Sequence, residues 1–179
     1  MTNLDIDKIT HSILYVLEQT GAISIHKLAK ILYFADKYHL AKYGRMITGE
    51  TYIAMKYGPV PSFTYDIYKY LKGVGLRYKE LESFKQLIEF KHSYHLAGLA
   101  NPDLDELSVS DVKCLNKSID TYKNSTFNQL TNDSHDSAWD SANDDLPIDF
   151  MEIAKASTND EGMLIYISES IENQHLTFR

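Results

Sequence analysis

The sequence has 179 residues, 44% of them hydrophobic and 24% charged, and a formal net charge of −7. No apolar run approaches the roughly 18 residues that cross a bilayer. The acidic balance also withholds the basic footprint that broad binding to phosphate backbones requires. Neither a membrane span nor general nucleic-acid binding is therefore expected, and the length suits one domain with a sizeable core. The N-terminus, "MTNLDIDKIT", has neither the basic start nor the apolar centre of a secretory signal, so a cytoplasmic location is expected.

In chain order, Leu4, Ile6, Ile9, Ile13 and Leu17 line one face of a first helix that Gly21 can close. Ser24 is placed to cap a second helix, in which Leu28, Ile31, Leu32, Ala35 and His39 keep the helical period until Gly44. "TYIAMKY" has the β-branched and aromatic residues of a short strand, and Gly58-Pro59 is expected to stop it, because proline cannot supply a ladder N–H. Pro61 suits the first turn of a third helix with Phe63, Ile67 and Tyr70 or Leu71 inward. The alternation Ile88, Phe90, His92, Tyr94, Leu96 predicts one continuous strand. "LRYKEL" is expected to pair with it, and the stretch around Tyr52 to join the same sheet.

Beyond residue 108 the pattern predicts a helix to about Tyr122, a short one through "TFNQLT", and a turn at "NDSHDSAW". It ends in a last helix with Leu164, Ile167 and Ile171 on one face. "DSANDDLP" reads as a mobile acidic surface segment. The expected class is α+β and predominantly helical: a single domain over residues 1–179, with a small antiparallel β-sheet packed against a helical core and a C-terminal helical extension over 148–178.

Catalytic chemistry finds little support in the residues. Cys114 is the only cysteine and sits on the stripe Val112, Leu115, Ile119, Tyr122, so it reads as structural. The seven histidines are scattered, and His92 and His95, on one strand, would point to opposite faces and share no metal. Asp133-Ser134-His135-Asp136 holds residue types that serve as base and orienter, making it the best site for a hydrolase-like enzyme. Helix capping by Asp136 or Ser137 is the competing and favoured reading, with His135 hydrogen-bonded to hold the turn under Trp139. A third reading is a DNA-binding regulator, since the first two helices joined by "TGAIS" can pass for a helix-turn-helix. Lys27, Lys30 and Lys37 are all the positive charge its second helix offers up to His39.

Residues 27–73, "KLAKILYFADKYHLAKYGRMITGETYIAMKYGPVPSFTYDIYKYLKG", carry an ordered series. A Leu-Tyr-Phe-Ala helix leads to Leu-Ala-x-Tyr-Gly-Arg, then to a strand running into Tyr57-Gly58-Pro59-Val60-Pro61, then to a Tyr-Asp-Ile-Tyr helix. Downstream, His135 and Trp139 stand in a His-x-x-x-Trp arrangement. The series resembles the Panacea domain, also called SocA-like, of antitoxins from bacterial and prophage toxin–antitoxin pairs, with a motif-bearing core over residues 6–140. The chain departs from the family pattern at Met55, where a tryptophan is frequent, and at Ala138, where a proline is frequent.

The resemblance implies a protein that neutralises a cognate toxin, usually encoded next door, by direct binding, and extends to delivery of the toxin to a bacterial AAA+ protease. Nine of the thirteen tyrosines lie between Tyr33 and Tyr78. With Phe63 and Ile67 inward, Tyr65 and Tyr68 are expected to face elsewhere, beside the helix of Tyr33, Phe34 and Lys37, as a preshaped aromatic surface. The partner-binding candidates are Tyr33, Phe34, Lys37, Tyr57, Gly58, Pro59, Val60, Tyr65, Tyr68, His135 and Trp139. No residue is assigned a catalytic step, and no metal or other cofactor is expected.

Overall fold

The computed structural model describes residues 5–75 and 79–177. Helix α1 (Ile6–Thr20) starts at Asp5, whose carboxylate accepts from the Lys8 N–H at 3.0 Å, and ends at Gly21 with φ 71°. After the two-residue strand β1 (Ile23–Ser24), Ser24 caps α2 (Ile25–Tyr43) by accepting from the Lys27 N–H. Gly44, in the left-handed region, returns its own N–H to the Leu40 carbonyl.

Helix α2 is the axis of the molecule. Leu28, Ile31, Leu32 and Ala35 face one hydrophobic cluster, shared with α1 and with α5 (Val109–Tyr122). Tyr33, Phe34 and Leu40 face a second cluster, built with β2 (Tyr52–Met55), α7 (Ser137–Ser141), α8 (Phe150–Ser157) and α9 (Glu161–Thr177). A helix with apolar residues all round has to be central, because either face left in water would forfeit its burial. Among the described residues no helix is long and apolar enough to cross a membrane.

Several segments differ from the sequence expectation. Gly58–Pro61 does not stop the first strand: it is the return strand β3 of a hairpin, pairing Tyr52 with Pro61 and Ala54 with Pro59. Its prolines are tolerated because they stand opposite residues whose backbone groups point the other way. Ala54 bonds outward, its N–H to the Leu146 carbonyl at 2.9 Å and its carbonyl to the Asp145 N–H at 2.8 Å, while the Tyr52 carbonyl takes the Ile148 N–H. The acidic stretch expected to be mobile is thus hydrogen-bonded along the free edge of β2.

The predicted continuous strand over residues 88–96 is a second hairpin, β4 (Ile88–Phe90) and β5 (His95–Gly98), with Ser93 and Tyr94 at φ 43° and 79°. No glycine marks the turn, so alternation alone ran straight through it. This sheet is ordered β1-β5-β4 and is separate from the β2–β3 hairpin, so the single sheet expected from sequence is two. Lys79–Leu81 forms a 3₁₀ turn rather than a pairing strand, and Leu76–Tyr78 lie outside the described residues. A short helix α4 (Phe84–Leu87) leads into β4.

Helix α3 (Ser62–Leu71) follows Pro61, which offers no side-chain cap. Glu50 supplies one from a distance: its buried carboxylate accepts from the Thr64 N–H at 2.9 Å and from the Thr64 hydroxyl. The inward face holds Thr64, Ile67, Tyr68 and Tyr70, with Phe63 only half-buried. The expectation that Tyr68 faces outward is therefore corrected: the β4 strand, with Phe90 at 6.0 Å, covers that side of the helix. The remaining helices follow their caps. Ser108 with Asp111 opens α5, Thr126 with Gln129 opens α6 (Phe127–Ser134), Asp136 opens α7, and Asp149 opens α8, which the sequence reading left within the C-terminal helical extension.

Candidate binding site

Tyr33, Lys37 and Trp139 converge on Asp136. As the N-cap of α7 it accepts from the Ala138 and Trp139 N–H groups, each at 3.1 Å, so the capping reading of this segment holds. The Tyr33 hydroxyl donates to the same carboxylate at 2.9 Å, and Lys37 Nζ forms an ion pair with it. Burial, reinforced by the Asp136 charge, holds the Tyr33 phenol well above its ordinary pKa, so it stays a donor. Trp139 Nε1 donates to the Met55 carbonyl at 2.9 Å, tying α7 to the β2–β3 hairpin.

His135 lies flat on the Trp139 indole, ring centroids 3.7 Å apart and planes 2° from parallel. Stacking, rather than the expected hydrogen bond, holds it at the turn, and among the described residues its Nε2 has no hydrogen-bond partner. Asp133 is exposed on α6, and among the described residues no hydrogen bond joins it to His135.

Beneath the hairpin lies a lysine that sequence reasoning counted among solvent-facing charges. Lys30 is fully buried on α2, with Nζ donating to the Pro59 carbonyl at 2.7 Å, and burial draws its pKa down to about 7. Gly58, at φ 96°, lies directly above it: a Cβ there would overlap Ser134 Oγ and stand 3.0 Å from Lys30 Cε and Nζ. Only glycine lets the turn approach this closely.

Asp36, also within α2 and fully buried, ties down the following loop. It accepts from the Ile47 and Thr48 N–H groups, the Thr48 hydroxyl and the Tyr52 hydroxyl, all at 2.5–3.0 Å. Lys30, Asp36, Glu50 and Ser134 were all missed as structural hubs. The one available signal was an acid, Asp36, standing between the buried positions Ala35 and His39 as the sole acidic residue of the helix.

The aromatic surface is smaller than the sequence suggested, and elsewhere. Tyr33 is fully buried, and Phe34 is 6% exposed and stacks on Tyr122 at 4.1 Å. Pro59 is buried and Val60 half-buried. Tyr65 is half-buried and stacks on the buried Tyr68, both belonging to the first cluster, whereas Tyr33, Phe34 and Trp139 belong to the second. The expected face joining Tyr65 and Tyr68 to Tyr33, Phe34 and Lys37 does not form, because the outward side of α2 that it required is packed under the hairpin, α7 and α8.

Of the candidate rings, Tyr57 is the outward one, 48% exposed at the tip of the β2–β3 hairpin. It meets Phe127, 47% exposed at the start of α6, edge to face at 5.2 Å, and His26 of α2 stacks on Phe127 at 4.0 Å. Phe127 and His26 were missed: a capped helix start and a histidine one residue inside another helix carry no outward mark in sequence.

His92 and His95 do not oppose one another across a strand as expected. The β4–β5 turn brings their rings to 5.2 Å. Among the described residues no group of three histidine, cysteine or acidic side chains is placed to hold a metal. Asp136, Lys37, Tyr33 and Trp139 are occupied with one another and with backbone, an arrangement suited to holding shape.

No curated protein and no solved structure matches the chain. The family model described as Antitoxin SocA-like, Panacea domain matches residues 28–140, from Leu28 in α2 to Asp140 in α7. That stretch contains the whole Asp136 constellation, the Glu50 and Asp36 anchors and the hairpin, and on this match the chain belongs to the SocA-like Panacea antitoxin family.

Proposed function

We propose that the protein is an antitoxin that neutralises a cognate toxin, encoded beside it, by binding it directly. The observation that carries this reading is the family match over residues 28–140. The site agrees with it physically. Asp136, Lys37, Tyr33 and Trp139 spend their polar groups on internal bonds that fix the hairpin against α2 and α7, and a fixed scaffold lowers the ordering cost of association. A standard interface of about 1,600 Å² in total fits a chain of this size. Delivery of the bound toxin to a AAA+ protease is a separable second step, visible as a shortened toxin half-life when the two proteins are made together.

The test is co-expression with the neighbouring gene. Growth should be restored and a stable complex recovered by affinity purification. A neighbour that remains equally toxic, with no complex, removes the proposal.

A further inference from the structure

Three elements far apart in sequence build one outward aromatic unit. Tyr57 comes from the hairpin tip, Phe127 from the first position of α6 and His26 from the first turn of α2. His26 fixes the unit from beneath. Its Nε2 lies 3.2 Å from Thr131 Oγ1. Burial, and then the nearby charge of Lys30, draws the pKa of His26 down to about 4, so the ring is neutral around pH 7.

Two lysines flank the rings. Lys56 lies over Tyr57, 5.3 Å from the ring centre, and Lys27 donates to the Lys123 carbonyl at 2.7 Å. Among the described residues neither is in an ion pair with a carboxylate. A groove of about 270 Å³ opens beside Phe127, lined by Ile23, Leu130, Ser125 and His95.

We propose that this face, His26, Tyr57 and Phe127 with Lys27 and Lys56, is where the toxin docks, and that the toxin meets it with an apolar side chain flanked by carboxylates. The inference rests on the toxin-binding reading and deepens it. Rings already packed against one another surrender little freedom when covered, and such aromatic anchors supply most of the energy of an interface. Charge selects the occupant. The chain as a whole carries −7, so two lysines without carboxylate partners beside exposed rings form a local reversal of sign, complementary to an acidic surface. Stacking and lysines would also suit a single-stranded nucleic acid, but its phosphates would be repelled by the remainder of the chain.

The test uses the full chain co-expressed with the product of the adjacent gene, and then titrated with that product. Tyr57→Ala and Phe127→Ala should each weaken the complex by about 30-fold at unchanged melting temperature. The double reversal Lys27→Glu with Lys56→Glu should weaken it further at low salt and reverse its salt dependence, added salt now strengthening the complex. Val109→Ala, altering an exposed apolar residue outside this face, should bind as the unaltered chain does.

Full affinity in Tyr57→Ala and in Lys56→Glu, a change on the exposed turn that leaves the core untouched, would overturn the docking face while leaving direct binding intact. No complex with the unaltered chain would remove both. Capture of a single-stranded oligonucleotide that depends on Tyr57 and Phe127 would overturn the protein partner in favour of nucleic acid.

Discussion

The Tyr33 hydroxyl reaches the Asp136 carboxylate at 2.9 Å across 103 residues of sequence. That carboxylate serves α2 through Tyr33 and Lys37, and α7 through its first N–H groups. Asp136→Ala should therefore lose a cap and strand a largely buried ammonium, at a cost of about 3 kcal/mol. Asp136→Asn keeps the capping oxygen and should lose about half as much. Urea unfolding followed by the fluorescence of Trp139, the sole tryptophan, measures both; a midpoint for Asp136→Ala equal to that of the unaltered chain would contradict the hub.

Gly58 should tolerate no side chain. Alanine there meets Ser134 Oγ and must adopt φ 96°, which together should destabilise the fold by about 2–3 kcal/mol. Removing the obstructing atom with Ser134→Ala should return about 1 kcal/mol of that loss, so the two changes are not additive. Strict additivity in a double-mutant cycle would show that the turn does not press on Ser134.

Lys30 sets a pH dependence whose sign follows from its burial. It releases its proton near pH 7 in the folded chain and near 10.5 when unfolded. Between those values the unfolded chain binds more protons, so this group makes stability rise with pH across that window, by at most about 1.4 kcal/mol per unit. Below it, folding carries the cost of a charged ammonium in the core. The unfolding free energy of the unaltered chain relative to Lys30→Met should be flat below about pH 6 and climb between about pH 7 and pH 9. A difference independent of pH would mean that Lys30 keeps its proton through hydration that its burial does not suggest.

The helices were legible because their signals are local. Ser24, Gly21 and Gly44 act within one turn of where they stand, and the stripe Leu28, Ile31, Leu32, Ala35 repeats within one helix. Asp136 was legible as a cap for the same reason. The strand over residues 88–96 was misread because its turn uses Ser93 and Tyr94 in the left-handed region, where glycine or asparagine would have announced it. Gly58–Pro61 was misread because proline forbids only the bonds that a central strand needs. This strand is bonded on one side, with its prolines at the pairs of the ladder that exchange no hydrogen bonds.

The sequence by itself determined the helical, mixed α+β class, the position of most helix ends and the family resemblance, all of which depend on neighbours a few residues apart. Only the tertiary structure decided which aromatic rings meet water. Tyr33, Phe34 and Tyr68 are covered by β4, α7 and α8, elements distant in sequence, while Tyr57 is left outside beside Phe127. The same holds for Lys30, an ordinary surface residue by type, which is interior because the hairpin folds over it and Pro59 offers a carbonyl at 2.7 Å. Burial is a property of what packs on top, and no local pattern encodes it.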